Sequence, residues 1–172
     1  MFLVYEIGEY GPIILIFLSL YLLWNSKNLL FYYTVGIFTN AIVNIIFKGF
    51  IQEPRPLFET TKMNIMKTHA KNYFFQNGIP FDMFGMPSGH AQASFFTTAF
   101  IYLSLKRNNL LYIYIPMSLL TCYQRIALGY HSLSQIIVGS IVGVAFAYFV
   151  YNLARDKIKG KIIEKSDDYA PI

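Results

Sequence analysis

Three short clusters in this chain carry side chains suited to chemistry. The first is Lys48, then six residues, then Arg55-Pro56. The second is Met86-Pro87-Ser88-Gly89-His90. The third is Gln124-Arg125, followed by Gly129-Tyr130-His131 and Gln135. Pro54 and Pro56 disfavour helix for the residues before them, so Arg55 sits on a stiff segment just past Lys48. Two fixed cations there suit an oxyanion with several oxygens. In the second cluster proline fits a first helical turn and glycine lets a ligand approach the backbone. Free N–H groups at a helix start form an anion site, and His90 is placed to move a proton beside it. In the third, His131 and Gln135 are four apart and share a helix face. The Gln135 oxygen can accept from one ring nitrogen of His131 and leave the other as a nucleophile.

Each cluster alone reads equally well as something plainer: flanking charge, a helix cap, a polar kink. Together, three cations, two histidines and a helix start suit a phosphoryl group. A metal site would need further close-spaced His, Cys or acidic ligands, so no metal and no cofactor is expected. His69 has no partner at ligand spacing and reads as a loop residue.

The elements that position these clusters follow from the placement of charge. Hydrophobic residues make up 55% of the 172 positions and charged residues 13%, half the density a soluble domain carries. Five runs lack Asp, Glu, Lys and Arg: 10–26, 28–47, 83–105, 108–124 and 126–154, together 106 residues. Each is 17 to 29 residues long and fits a bilayer-crossing helix. The expected fold is therefore an all-α integral membrane bundle of about five transmembrane helices, or at most six. One membrane-embedded domain is expected over 1–156, with an extramembrane loop at 48–82 and a polar tail at 157–172. The first run is the weakest, because Gly11-Pro12 lies near its start; residues 1–10 are expected to lie along the interface. Glu6 and Glu9 argue against a secretory signal. A short surface helix is expected around Lys62–Lys67. The lone Cys122 forms no intrachain disulfide. The net charge of +5 reads as membrane-flanking charge, with no nucleic-acid partner.

If all five runs cross, the N-terminus, the 48–82 loop and the 124–131 connection share one face, and all three clusters lie there. Eight basic residues, among them Lys27, Lys106, Arg107 and Arg155, lie on the other face, against six on the first. The positive-inside rule then places the clusters on the extracytoplasmic or lumenal side.

Lys-x6-Arg-Pro, Pro-Ser-Gly-His and Arg-x5-His, in this order, resemble the three signatures of the type 2 phosphatidic acid phosphatase superfamily. The intervals are of the size that family shows: 30 residues from Pro56 to Pro87 and 34 from His90 to Arg125. The resemblance implies that His131 is the nucleophile forming a phosphohistidine, and that His90 protonates the leaving oxygen and then activates water. It implies that Lys48, Arg55 and Arg125, with the Ser88 hydroxyl and the Gly89 N–H, hold the phosphoryl oxygens without a metal. Gln124 stands where serine is usual, and Gln135 where aspartate usually orients the histidine.

Within that family the dolichyldiphosphatase branch is similar at this place. Its third motif, Tyr-His-x-x-Ser-Gln, matches Tyr130 to Gln135, and its Gly-Met-Pro-Ser matches Gly85 to Ser88. It has Gln-Pro-Arg-Pro where this chain has Glu53-Pro54-Arg55-Pro56, and serine where this chain has Gly89. The expected activity is hydrolysis of a polyprenyl diphosphate to the monophosphate, at the endoplasmic reticulum lumen in a eukaryote. Two alternatives stand beside it: a phosphatase of phosphatidic acid or a related lipid monoester, and an inactive scaffold or transporter that keeps the fold. The partners expected are the bilayer and a lipid substrate.

Overall fold

A computed structural model describes residues 2–56 and 84–159. Among these the protein is all-α, with five helices: α1 Phe2–Leu23, α2 Lys27–Ile51, α3 Gly89–Leu105, α4 Asn108–Ala127 and α5 Leu133–Lys159. The surface helix expected around Lys62–Lys67 and the tail from 160 lie outside the described residues. The last helix runs three residues past the expected domain boundary at 156.

Three helices, α1, α2 and α5, are long and apolar enough to cross a membrane by length and composition. Their outer faces carry large apolar side chains, among them Phe17, Phe38, Ile42, Ile141 and Phe149. The other two run beside them. α3 has only 17 residues and is rich in polar ones, and Gln92, Ser94, Thr97 and Thr98 are all buried. α3 touches each of the other four helices, most extensively α5. Such a position tolerates polarity, because each polar group can find a partner in a neighbouring helix rather than facing lipid. Tyr33 donates to Thr97 Oγ1 at 3.2 Å, and the hydroxyls of Thr98 and Ser118 meet at 2.9 Å.

The expected interfacial piece at 1–10 is instead part of one continuous helix through Pro12. The reason is close packing. Gly8 and Gly11 press against Gln124, Leu120 and Thr121 of α4, and a Cβ at either would collide there. α1 is thereby held to α4 along its first turns.

The tightest seam lies between α3 and α5. Gly139, Gly143 and Ala147 recur every four residues on one face of α5, a small-residue stripe that lets two backbones approach. A Cβ at Gly139 would sit 2.6 Å from the carbonyl oxygen of Ser88. One at Gly143 would overlap the carbonyl of Gln92. At the far end of the bundle Leu15, Leu23, Tyr33, Phe96, Phe100, Ile101 and Val150 close the core. Tyr33 stacks on Phe96 with centroids 6.1 Å apart.

A single methyl at this seam is therefore costly. Gly139→Ala should lower stability by about 1–3 kcal/mol, as overpacking does. Ile137→Ala, on the exposed face of the same helix, should change it little. Thermal unfolding of the two variants in one detergent compares them directly.

Candidate active site

All three clusters meet at one end of the bundle, where α2 and α4 finish and α3 and α5 begin. Each arrives by a local backbone device. α2 ends in a left-handed residue, Gln52, whose N–H donates to the Lys48 carbonyl at 3.0 Å. The chain turns back there, and Pro54 pairs with Phe84 in a single antiparallel bridge. The Gly85 N–H donates to the Glu53 carbonyl at 2.7 Å. The first cluster is thus clipped to the segment leading into the second. α4 ends at Ala127, and the turn after it passes through Gly129, in the left-handed region at φ 69°, where a Cβ would be strained. That turn brings the N–H of His131 back to the Arg125 carbonyl at 3.2 Å, which explains the five-residue interval between the two.

One cavity of about 510 Å³ collects Lys48, Arg55, Gly89, His90, Arg125 and His131. Ser88, the N-cap of α3, lies directly behind it with a fully buried hydroxyl. Ser88 Oγ and Arg125 Nε are buried with no hydrogen-bond partner among the described residues. Buried donors of this kind are costly unless a ligand meets them. The first N–H groups of α3 add further donors. The cavity is also lined by apolar Ile16, Ile37, Ala41, Ile45 and Phe96, with Asn40, Asn44 and Thr97 among them.

Gln135 does not line the cavity. It stands behind His131, 1% exposed. Its Nε2 donates to Glu53 Oε1 and to the Pro54 carbonyl, both at 2.8 Å. Its Oε1 accepts from the Ser132 N–H at 3.2 Å and lies 3.1 Å from His131 Nδ1. These partners decide the orientation of the amide. A carbonyl only accepts and a backbone N–H only donates, so the nitrogen must face Pro54 and the oxygen Ser132. His131 Nδ1 therefore carries the proton, and Nε2 keeps its lone pair. The four-residue spacing leaves open which ring nitrogen faces Gln135; in the structure it is Nδ1.

His131 is 3% exposed. Burial, and then the positive charge of Arg55, push its pKa down to about 4, against a smaller upward pull from Gln135. The ring is neutral at neutral pH and available as a nucleophile.

Several participants carry little sign in the sequence. Glu9 of α1 reaches Arg125 at 3.7 Å and accepts from Gln124 Nε2 at 3.4 Å. The ring of Tyr130 lies 5.2 Å from the Arg125 guanidinium. Asn44 donates to the Pro87 carbonyl at 3.1 Å and to Gln92 Oε1 at 2.8 Å, and Gln92 donates to Asn40. Glu53 and Glu9 are visible in the sequence only as acids near the relevant face; their partners are set by the fold. Gly85 is required by proximity, because any Cβ there would overlap the Gln135 amide.

A family model described as the PAP2 superfamily matches residues 29–159. A dolichyldiphosphatase of Saccharomyces cerevisiae is 31% identical over 134 residues, 70% of this chain and 51% of that protein. A lipid A 4'-phosphatase of Helicobacter pylori is 36% identical over 64 residues, 37% of this chain and 32% of that protein. The chain thus spans about half the length of the first relative and about a third of the second. No solved structure gives a significant match.

The depressed ring pKa is open to direct measurement. An NMR titration of His131 should give a midpoint near 4, well under the ordinary histidine value of about 6.5. Arg55→Ala removes a cation that disfavours protonation, so it should move the midpoint upward. A midpoint at the ordinary value in the parent protein would contradict the burial described above.

Proposed function

The chain belongs to the PAP2 superfamily, and on that premise we propose that it is a lipid phosphatase that converts a polyprenyl diphosphate, such as dolichyl diphosphate, to the monophosphate. The observation that carries this reading is the locked tautomer of His131: a ring nitrogen with a free lone pair in a cavity with Lys48, Arg55 and Arg125. Nε2 attacks the terminal phosphorus. An N–P bond forms as the bridging P–O bond breaks, and the prenyl monophosphate leaves with a proton from His90. A water that gives its proton to His90 then attacks the phosphohistidine. The N–P bond breaks and orthophosphate is released.

Charge on the three equatorial oxygens is met by Lys48, Arg55, Arg125, Ser88 Oγ and the Gly89 N–H. This is preorganised electrostatic stabilisation that needs no metal. The apolar lining residues Ile37, Ala41, Ile45 and Phe96 support a lipid substrate whose chain stays in a hydrocarbon environment. The dolichyldiphosphatase relative supports a diphosphate as the reacting group. A second reading, a lipid phosphate monoester, draws on the lipid A 4'-phosphatase relative, whose match covers a smaller part of the chain. In either case residues 1–156 act as one phosphatase domain with a polar tail at 157–172. The site faces the lumen or the extracytoplasmic side, in the endoplasmic reticulum if the host is eukaryotic.

Purified protein should release phosphate from a polyprenyl diphosphate in excess EDTA, and faster than from phosphatidic acid. His131→Ala should abolish release and any acid-labile phosphoenzyme. His90→Ala should slow turnover by about 10²–10⁴-fold, the usual worth of acid–base help. Full turnover by His131→Ala would refute the nucleophile assignment.

Orientation has its own measurement. A glycosylation acceptor placed between 57 and 80 should be modified, and one in the tail should not. The opposite pattern puts the site in the cytoplasm.

A further inference from the structure

The family's usual carboxylate behind the nucleophilic histidine is missing here, yet a carboxylate stands one side chain further back. Glu53 Oε1 accepts from Gln135 Nε2 at 2.8 Å, and Gln135 Oε1 faces His131 Nδ1 at 3.1 Å. We propose that Glu53 is a positioning residue that acts on His131 through the Gln135 amide, so that Glu53–Gln135–His131 does the work of a direct carboxylate–histidine pair. This assignment rests on His131 being the nucleophile.

First, the amide cannot turn over: the Pro54 carbonyl and the Ser132 N–H hold its two ends in opposite roles. Its dipole therefore points from Glu53 to the ring in every productive complex. Second, a negative charge on the amide nitrogen's side polarises the amide and makes its oxygen a stronger acceptor. Hydrogen bonds in a chain strengthen one another, and those to a charged group are stronger than neutral ones. Third, the need arises during the reaction. As Nε2 bonds to phosphorus, the ring takes on positive charge while Nδ1 keeps its proton. Three cations already line the same cavity, so the developing charge is disfavoured unless something negative lies behind the ring. Glu53 provides that charge without placing a carboxylate against the substrate oxygens.

The backbone of Glu53 is itself pinned by the Gly85 N–H at 2.7 Å, so the acid is held in register with the second cluster. The geometry also changes the expectation for residue 135. Read in the sequence alone, Gln135→Asp restores the wider family's residue and is expected to be active. In the structure an aspartate there would face the Glu53 carboxylate and the Pro54 carbonyl with no hydrogen to offer either.

The test uses the full chain and four proteins. Glu53→Gln keeps an acceptor for Gln135 and removes only the charge. It should lower kcat by about tenfold, the difference between a charged and a neutral hydrogen bond, with KM little changed. A merely structural role for Glu53 predicts wild-type kcat in this variant. Gln135→Asp alone should be poorer than Glu53→Gln. The double variant Glu53→Gln/Gln135→Asp should recover activity above Gln135→Asp, because the glutamine at 53 can now donate to the new carboxylate. Additive losses in the double variant, or an unchanged kcat in Glu53→Gln, overturn the proposal while leaving the phosphatase reading intact. If the parent protein releases no phosphate from any lipid, that reading fails instead. The relay then still has an independent readout: the Nδ1–H proton resonance of His131 should move upfield in Glu53→Gln, and an unmoved resonance rejects the coupling.

Discussion

The structure of this site depends on one buried amide whose two ends cannot be exchanged. Gln135 meets an obligate acceptor at its nitrogen and an obligate donor at its oxygen. Its own carbonyl also accepts from the Ser88 N–H at 3.0 Å. One residue therefore joins the segment after α2, the start of α3 and the loop before α5, which lie far apart in the chain. The proton on His131, the position of Arg55 and the pose of the α3 N-terminus all follow from that knot. Gly85 is its negative image: it is glycine because the amide occupies the space a side chain would take.

A bilayer makes such a knot costly to leave incomplete. Water does not reach a buried donor among these helices, so an unpaired group pays its full desolvation. Gln92 of α3 accordingly sits in a continuous chain with α2, from the Pro87 carbonyl through Asn44 and Gln92 to Asn40. Apolar side chains face outward on the spanning helices, while much of the polarity is turned inward beneath the site. Several buried groups break this pattern, among them Ser94 Oγ, Thr121 Oγ1 and Asn152 Oδ1; Ser88 Oγ and Arg125 Nε do so where a phosphoryl group is proposed to sit.

Much of this was legible before any coordinates. The charge-free runs gave five helices, because helices packed in or against a bilayer exclude charge; among the described residues only α1, α2 and α5 are also long and apolar enough to cross it. The three clusters were readable because their residue types and intervals are fixed by backbone devices, such as the left-handed turn at Gly129. Gly89, where the resembling branch has serine, faces Asn44: a Cβ there would lie 3.2 Å from Asn44 Oδ1, a tight contact at the end of a side chain. Gln124, where serine is usual, reaches across to Glu9. Neither contact has a sequence signature, because each joins residues from different helices with no fixed interval. The continuity of α1 was hidden for the same reason: Pro12 is a local signal, and the packing of Gly8 and Gly11 that overrides it is not.

Glu9 gives the site a property that its cations alone would lack. A guanidinium buried at the end of α4 with no anion nearby would be expensive, and Glu9, half-exposed on α1, stands 3.7 Å from it. The protein thus carries a resident counter-ion for Arg125. In the proposed reaction, binding at this residue is an ion exchange rather than an ion uptake, because the guanidinium already has a weak partner. Exchange is gentler in both directions. Glu9 spares Arg125 an orphan charge both before the proposed substrate arrives and after its phosphate departs. In the proposed reaction, discharge of a multiply charged product from among three cations is eased by a first helix that takes the charge back.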